Sequence, residues 1–311
     1  MNPTILAALV LGSAVCGLAQ QAPAEVNARN VIGLENVRRN SGGKLTVENG
    51  VMQFKAGATV ARVPVASIDD VSVGSETTQA GGKAGTVART AAIAAPYDSG
   101  AVLSLLMRTK VDILTVSYRD SGGGLHAAIL ALPKGQAPQE RVQLIAAGAP
   151  ASAAGQALRE SKPAVPAAQK ANSQKLSASA IQIEPVETGD VRIPIEFRSA
   201  IYEFLVERVR ESGTFQHVFR SGDRAAGTIP DLVTLHTTVE KFKEGSQMKR
   251  ELTGVLGDTK VDVSASVTAR DGRTVLAGRI QGKVRFFGEN LGATNDLAKR
   301  IAKLLRRTFG T

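Results

Sequence analysis

Tryptophan is absent from this chain and cysteine occurs once, at Cys16. Histidine is nearly as scarce, with His126, His217 and His236 far apart and without the close spacing that a shared metal ion needs, so no metal site is expected. The sequence has no G-x-S-x-G elbow, no H-E-x-x-H pair and no phosphate loop. The nearest lookalike, Gly81-Gly82-Lys83-Ala84-Gly85, follows its lysine with alanine and reads as a turn. Adjacent Asp69 and Asp70 are expected on opposite faces of a strand, and Glu184, Glu187 and Asp190 have no partner at a spacing that suggests a glycosidase. No catalytic residue, cofactor or metal is therefore expected, and the chain reads as a non-enzyme.

Lysine and arginine number 38 against 28 acids, a net charge of +10 that favours anionic surfaces. The N-terminus narrows which surfaces. Ile5 to Leu18 is an apolar run without charge, about 14 residues long, which is short of the ~20 that span a bilayer and suits the core of a signal peptide. Gly17 and Ala19 supply small residues for cleavage after Ala19, giving a signal peptide over 1–19 and an exported product. Cleavage there removes Cys16, and with it disulfides, thiolate ligands and a thiol nucleophile. Ser13, Ala14 and Val15 depart from the pattern before a lipidated cysteine, which disfavours a lipoprotein. Export makes nucleic acid an unexpected partner.

Residues 149–179, rich in Ala, Pro, Ser, Gln and Lys, read as a linker between a β-rich domain over 35–148 and an α+β domain over 180–311. In the first, Asn49-Gly50 reverses a hairpin in which Val47 faces Met52 and Leu45 faces Phe54, placing the large apolar residues on one face. Strands follow near Val60 to Val65, Val111 to Tyr118 and Leu125 to Leu132, and a helix over Gln136 to Ala147 closes the domain. An apolar insertion, 84–107, has arms too short to cross a membrane. It is either a buried hairpin or an apolar contact device carried by Leu103, Leu105 and Leu106.

In the second domain Ile181 and Ile183 begin a strand. Phe197, Ile201, Phe204, Leu205 and Val209 then recur at helical spacing, with Glu203, Glu207, Arg208 and Arg210 elsewhere on the helix. Strands are expected over Phe215 to Phe219 and Leu232 to Phe242. A hairpin at Asp271-Gly272 has Arg270 facing Arg273, Val267 facing Leu276 and Val263 facing Ile280. The last helix points Leu297, Ile301, Leu304 and Leu305 inward and Lys299, Arg300, Lys303, Arg306 and Arg307 outward, the best candidate for contact with an anionic surface.

The element order over 44–147, several strands and a closing helix, resembles pleckstrin-homology-like domains, which implies a binding or assembly module. Ile183-Glu184-Pro185, Ser212-Gly213-Thr214-Phe215, Pro230-Asp231-Leu232, Phe242 to Gly245 and Val261 to Asp271-Gly272 resemble a bacterial envelope domain family of unknown function, often found in lipoproteins, over 181–308. That resemblance implies an α/β sandwich-type domain (strand, helix, antiparallel strands, helix) that works by binding and carries over no catalytic residue. The fold class is accordingly α+β. The function expected is a non-enzymatic periplasmic or envelope-associated binding or assembly protein, meeting an envelope protein or an anionic membrane or cell-wall surface, with peripheral membrane contact open. The alternatives are a hydrolase-type enzyme assembled from scattered Asp, Glu, Ser and His, and a structural subunit of an oligomeric envelope complex. Intact-mass measurement of the exported protein is expected to show loss of residues 1–19. A product that retains them, or that carries a lipid on Cys16, contradicts the reading.

Overall fold

The structure is a computed structural model and describes residues 25–79, 108–151, 177–245, 258–284 and 291–310. The expected signal segment, the 84–107 insertion with Leu103, Leu105 and Leu106, and nearly all of the expected linker lie outside the described residues. Within them the chain is α+β and rich in strand, with two sheets and three helices.

The first sheet has seven antiparallel strands in the order β4-β3-β2-β1-β7-β6-β5. These are β1 (Val26–Ile32), β2 (Ser41–Glu48), β3 (Val51–Ala56), β4 (Thr59–Pro64), β5 (Ile68–Gln79), β6 (Arg108–Arg119) and β7 (Leu125–Pro133). Asn49 and Gly50 take φ of 51° and 72°, both left-handed, which is what a two-residue turn matched to strand twist demands. The pairs Val47–Met52 and Leu45–Phe54 form as parity requires, and Leu45, Met52 and Phe54 are all buried. Strand β1 lies upstream of the expected start at 35, and it joins the two halves of the sheet by pairing with both β2 and β7. Helix α1 (Gln136–Ala146) closes one face and buries Ala137 and Leu144.

The second sheet runs β12-β11-β10-β8-β9. Its strands are β8 (Ala180–Ile183), β9 (His217–Arg220), β10 (Leu232–Lys243), β11 (Thr259–Ala269) and β12 (Thr274–Val284). Helices α2 (Ile195–Glu211) and α3 (Gly292–Phe309) cover its apolar face. The β11–β12 hairpin pairs Val267 with Leu276 and Val263 with Ile280. Its turn differs from the expectation of Arg270 facing Arg273. The Ala269 N–H donates to the Arg273 carbonyl at 2.9 Å, so three residues form the loop. The register then shifts between Val267 and Thr268. A bulge absorbs the extra residue and keeps the apolar positions on one face.

Helix α2 is where the structure departs most from the sequence pattern. Phe197 through Val206 are buried without interruption, including Arg198 and Glu203, because the helix lies between the two sheets and not on the surface of one. Its helical stripe meets the second sheet and α3, while Tyr202 and Glu203 bond to β7 and Glu207 pairs with Arg39 at 3.5 Å. One hydrophobic cluster accordingly unites Ile32, Ile113, Ile129 and Ala131 of the first sheet with the core of the second. Strand β7 shows the same thing from the other side. Its residues His126 to Leu132 are all buried, so its uninterrupted apolar sequence, Ala127-Ala128-Ile129-Leu130-Ala131-Leu132, reflects burial on both faces.

A polar joint sits inside this apolar contact. Glu203, 2% exposed, accepts from Arg220 Nη1 and Nη2 at 2.8 Å each and from the Ala127 N–H at 2.7 Å. Arg220 Nη1 also donates to the Leu125 carbonyl at 2.9 Å. The Tyr202 hydroxyl donates to that same carbonyl at 3.2 Å and accepts from the Ser221 N–H at 3.1 Å. Burial works against the Arg220 cation, but Glu203 outweighs it and lifts the guanidinium above the ordinary arginine range. Alongside, the loops at 120–124 and 221–224 touch backbone to backbone. A Cβ on Gly123 would stand 2.8 Å from the Gly222 carbonyl oxygen, and one on Gly222 would stand 2.8 Å from that of Gly123. Both residues have positive φ, so glycine is required twice over.

Two outcomes follow from the shared core. The isolated fragment 177–311 is expected to lose the cooperative melt of the full chain and to bind a hydrophobic dye, and a fragment melting like the full chain contradicts the sharing. Glu203→Gln leaves a buried guanidinium without its counter-charge and is expected to cost about 3 kcal/mol in urea unfolding, whereas Glu203→Leu with Arg220→Met recovers most of that loss.

Candidate functional site

Among the described residues, two concave surfaces stand out for their polar side chains. The first is a cleft of about 110 Å³ at the joint, lined in part by Asp69, Asp70, Arg119, Arg198, Tyr202 and Ser221. Asp69 and Asp70 both line this cleft, where the register of β5 shifts between Ile68 and Asp70; Asp70 is buried, while Asp69 is exposed and pairs with Arg119 at 3.1 Å. Burial, only partly offset by Asp70, pulls the Arg198 guanidinium down to about 10. Burial also raises the Tyr202 phenol. Ser221 Oγ donates to Glu184 Oε2 at 2.7 Å, a partner that spacing along the sequence did not reveal. No imidazole or thiol is among the described lining of this cleft, so Ser221 has a carboxylate beside it but no base positioned as in a hydrolytic triad.

The histidines stand apart, each in a local role. His126 Nε2 lies 3.0 Å from Asp120 Oδ2, and its ring stacks on Tyr118 with centroids 4.9 Å apart. Burial pushes the Asp120 carboxyl up, but His126 and the N–H groups of Gly124 and Gly122 more than compensate and hold it below the usual range. His217 stacks on Phe219, and His236 Nε2 lies 3.2 Å from Thr268 Oγ1. Glu187 is raised by burial, with His236 and a hydrogen bond from Thr238 opposing. Among the described residues no three metal-ligating side chains converge.

The second surface is an open groove of about 710 Å³ between the edge strand β12 and the outer flank of α3. It gathers four of the five predicted contact residues, Lys299, Arg300, Lys303 and Arg307, and leaves Arg306 outside its lining. All five are exposed. The strand side, Ala277 to Gln281, was not part of the sequence reading, since an edge is defined only by which strands pair. Leu304 reaches the strand, with its Cδ2 within 3.6 Å of where a Cβ on Gly278 would be. Asp296 closes one end, accepting from the Lys283 N–H at 3.2 Å and from Arg300 Nε at 2.9 Å. Lys299, Lys303 and Arg307, four residues apart, line one flank and have no carboxylate partner among the described residues.

No family model and no curated protein matches this chain. Among solved structures it is similar to the PelC dodecamer from Paraburkholderia phytofirmans at 13% identity and a TM-score of 0.32, over 42% of this chain and 91% of that one. A single-site variant of that dodecamer gives 14%, 0.34, 44% and 94%. A candidate lipoprotein from Caulobacter crescentus gives 18% and 0.21, over 40% of this chain and 82% of that one. These overlaps are partial and the scores low, so the reading of function rests on the chain's own geometry.

Proposed function

We propose that this chain is an exported, envelope-associated binding or assembly protein that holds an anionic partner and performs no catalysis. The observation that carries the reading is the row of exposed cations along the α3 groove, Lys299, Lys303 and Arg307, which have no ion-pair partner among the described residues. A helix dipole accounts for Arg306 and Arg307, which stand in the last turn, but its influence fades within one turn and does not reach Lys299 or Lys303. The one carboxylate in the described lining, Asp296, pairs with Arg300, so Lys299, Lys303 and Arg307 stand side by side and repel one another, an arrangement that an anionic partner relieves. The N-terminal apolar segment supports an envelope location. The first sheet's strand order with its closing helix supports an adaptor-like, pleckstrin-homology-like module beside the binding domain. No described helix is long and apolar enough to cross a membrane.

The test is sedimentation with isolated envelope fragments at rising salt. The variant Lys299→Glu, Lys303→Glu, Arg307→Glu is expected to lose retention by about tenfold, the sum of three modest exposed charge contacts, with an unchanged melting temperature. Arg38→Glu, Lys55→Glu, Arg62→Glu changes the net charge equally at exposed positions of the first sheet and is expected to stay bound. Equal release of both variants overturns the assignment to the groove.

A further inference from the structure

Resting on that reading of an anionic partner, we infer that the edge of β12 is a strand-addition site for an extended acidic segment of another protein, read by the cations of α3. The backbone supplies the first half of the argument. Among the described residues β12 pairs only with β11, so its other edge has no strand partner among them. In an antiparallel pair the residues whose N–H and C=O point away from the partner strand alternate with those that point toward it. Lys283 is of the outward kind, because its N–H reaches Asp296 on α3. By alternation Gln281, Arg279 and Ala277 also direct their backbone groups outward, and these three line the groove. Each offers a donor and an acceptor to an added strand.

The helix supplies the second half. Gly282 lies against Ala293 and Leu297, and Gly278 lies against Leu304, so α3 runs alongside β12 in the opposite direction. Residues four apart on a helix rise about 6 Å. Residues two apart on a strand, which share one face, advance about 6.7 Å. The spacing of Lys299, Lys303 and Arg307 therefore matches acidic side chains at every second position of a strand laid on β12. Asp296 already shows the chemistry within the chain, since its carboxylate binds an outward N–H of this edge while Arg300 neutralises it.

Charge selects the occupant. The chain's own remaining segments are not acidic: 1–24 carries no acid, 80–107 carries Lys83 and Arg89 against Asp98, 152–176 carries Arg159, Lys162, Lys170 and Lys175 against Glu160, 246–257 carries Lys249 and Arg250 against Glu251, and 285–290 carries Arg285 against Glu289. A second copy brings another net +10. An anionic polymer or lipid satisfies the cations but has no use for the strand edge.

The probe is a fluorescent peptide alternating Glu and Thr, compared with the same residues rearranged as a Glu block and a Thr block. Anionic-lipid vesicles serve as the charge-only ligand. The alternating peptide is expected to bind the full chain and to slow amide exchange at Ala277, Arg279 and Gln281. The block peptide binds at least about tenfold more weakly, a loss of about 1.4 kcal/mol. Ala277→Pro removes an outward N–H without touching the β11 ladder, as edge strands tolerate, and is expected to weaken the peptide by a similar factor while leaving vesicle binding unchanged. If that variant fails to fold, amide exchange on the unmodified chain decides. Peptide binding without amide protection, or vesicle binding without peptide binding, overturns strand addition and leaves the anionic-partner reading standing. Binding of neither probe overturns both. Slowed exchange that depends on protein concentration in the absence of peptide makes the occupant a second copy and rejects the acidic partner.

Discussion

The Glu203–Arg220 pair is the contact around which the two halves of this protein are organised. A carboxylate that is 2% exposed is stable only beside a counter-charge and with its remaining lone pairs satisfied. Glu203 meets both conditions by taking two hydrogen bonds from Arg220 at the end of β9 and one from the Ala127 N–H in β7. These bonds therefore require α2, β9 and β7 to meet in one relative placement. The apolar cluster around them adds affinity without direction, since hydrophobic contact alone tolerates sliding. The ion pair supplies the register, and the glycine pair at 123 and 222 allows the neighbouring loops to come close enough for it to form.

Burying α2 between two sheets has a consequence for where the protein can bind. The interior cleft beside Arg198 and Tyr202 is small; Asp69 pairs with Arg119 there, and the charge of Asp70 partly offsets the burial of Arg198. The second helix of the domain, α3, covers the same sheet but has no further layer above it among the described residues. Its outer flank is exposed, beside a strand edge with no described neighbour. The groove and the joint are thus two results of one arrangement, in which the sheet's two covering helices have different surroundings.

Several parts of this arrangement are visible in particular residues. Asn49-Gly50 sets a turn and thereby the pairing of Val47 with Met52, because a two-residue loop leaves only one register that keeps the apolar side chains together. The hairpin at Asp271-Gly272 shows the limit of the same argument: parity correctly places Val267 on Leu276, but the loop gains a residue that a bulge absorbs. The non-alternating run Ala127 to Leu132 is the sequence signal that β7 is covered on both faces. Glu203 carried no such signal. At its position on an amphipathic helix an acid reads as solvent-facing, and its partner Arg220 lies 17 residues on, across a loop.

What the sequence by itself determined are the features set by local periodicity and turn chemistry: the helices, most of the strands though not β1 or β5, the residue pairs Val47–Met52 and Val267–Leu276, and the apolar and basic sides of α3. Those depend on residues within a few positions of one another, where covalent geometry limits the choices. The tertiary structure decided which charges are buried, that the two sheets share one core, and that β12 is the last described strand of the second sheet, beside α3. Each of these depends on contacts between residues distant in the chain, so no local pattern encodes them. They arise when the apolar faces of α2 and β7 leave water together, and a buried carboxylate then admits only the packing that brings its guanidinium to it.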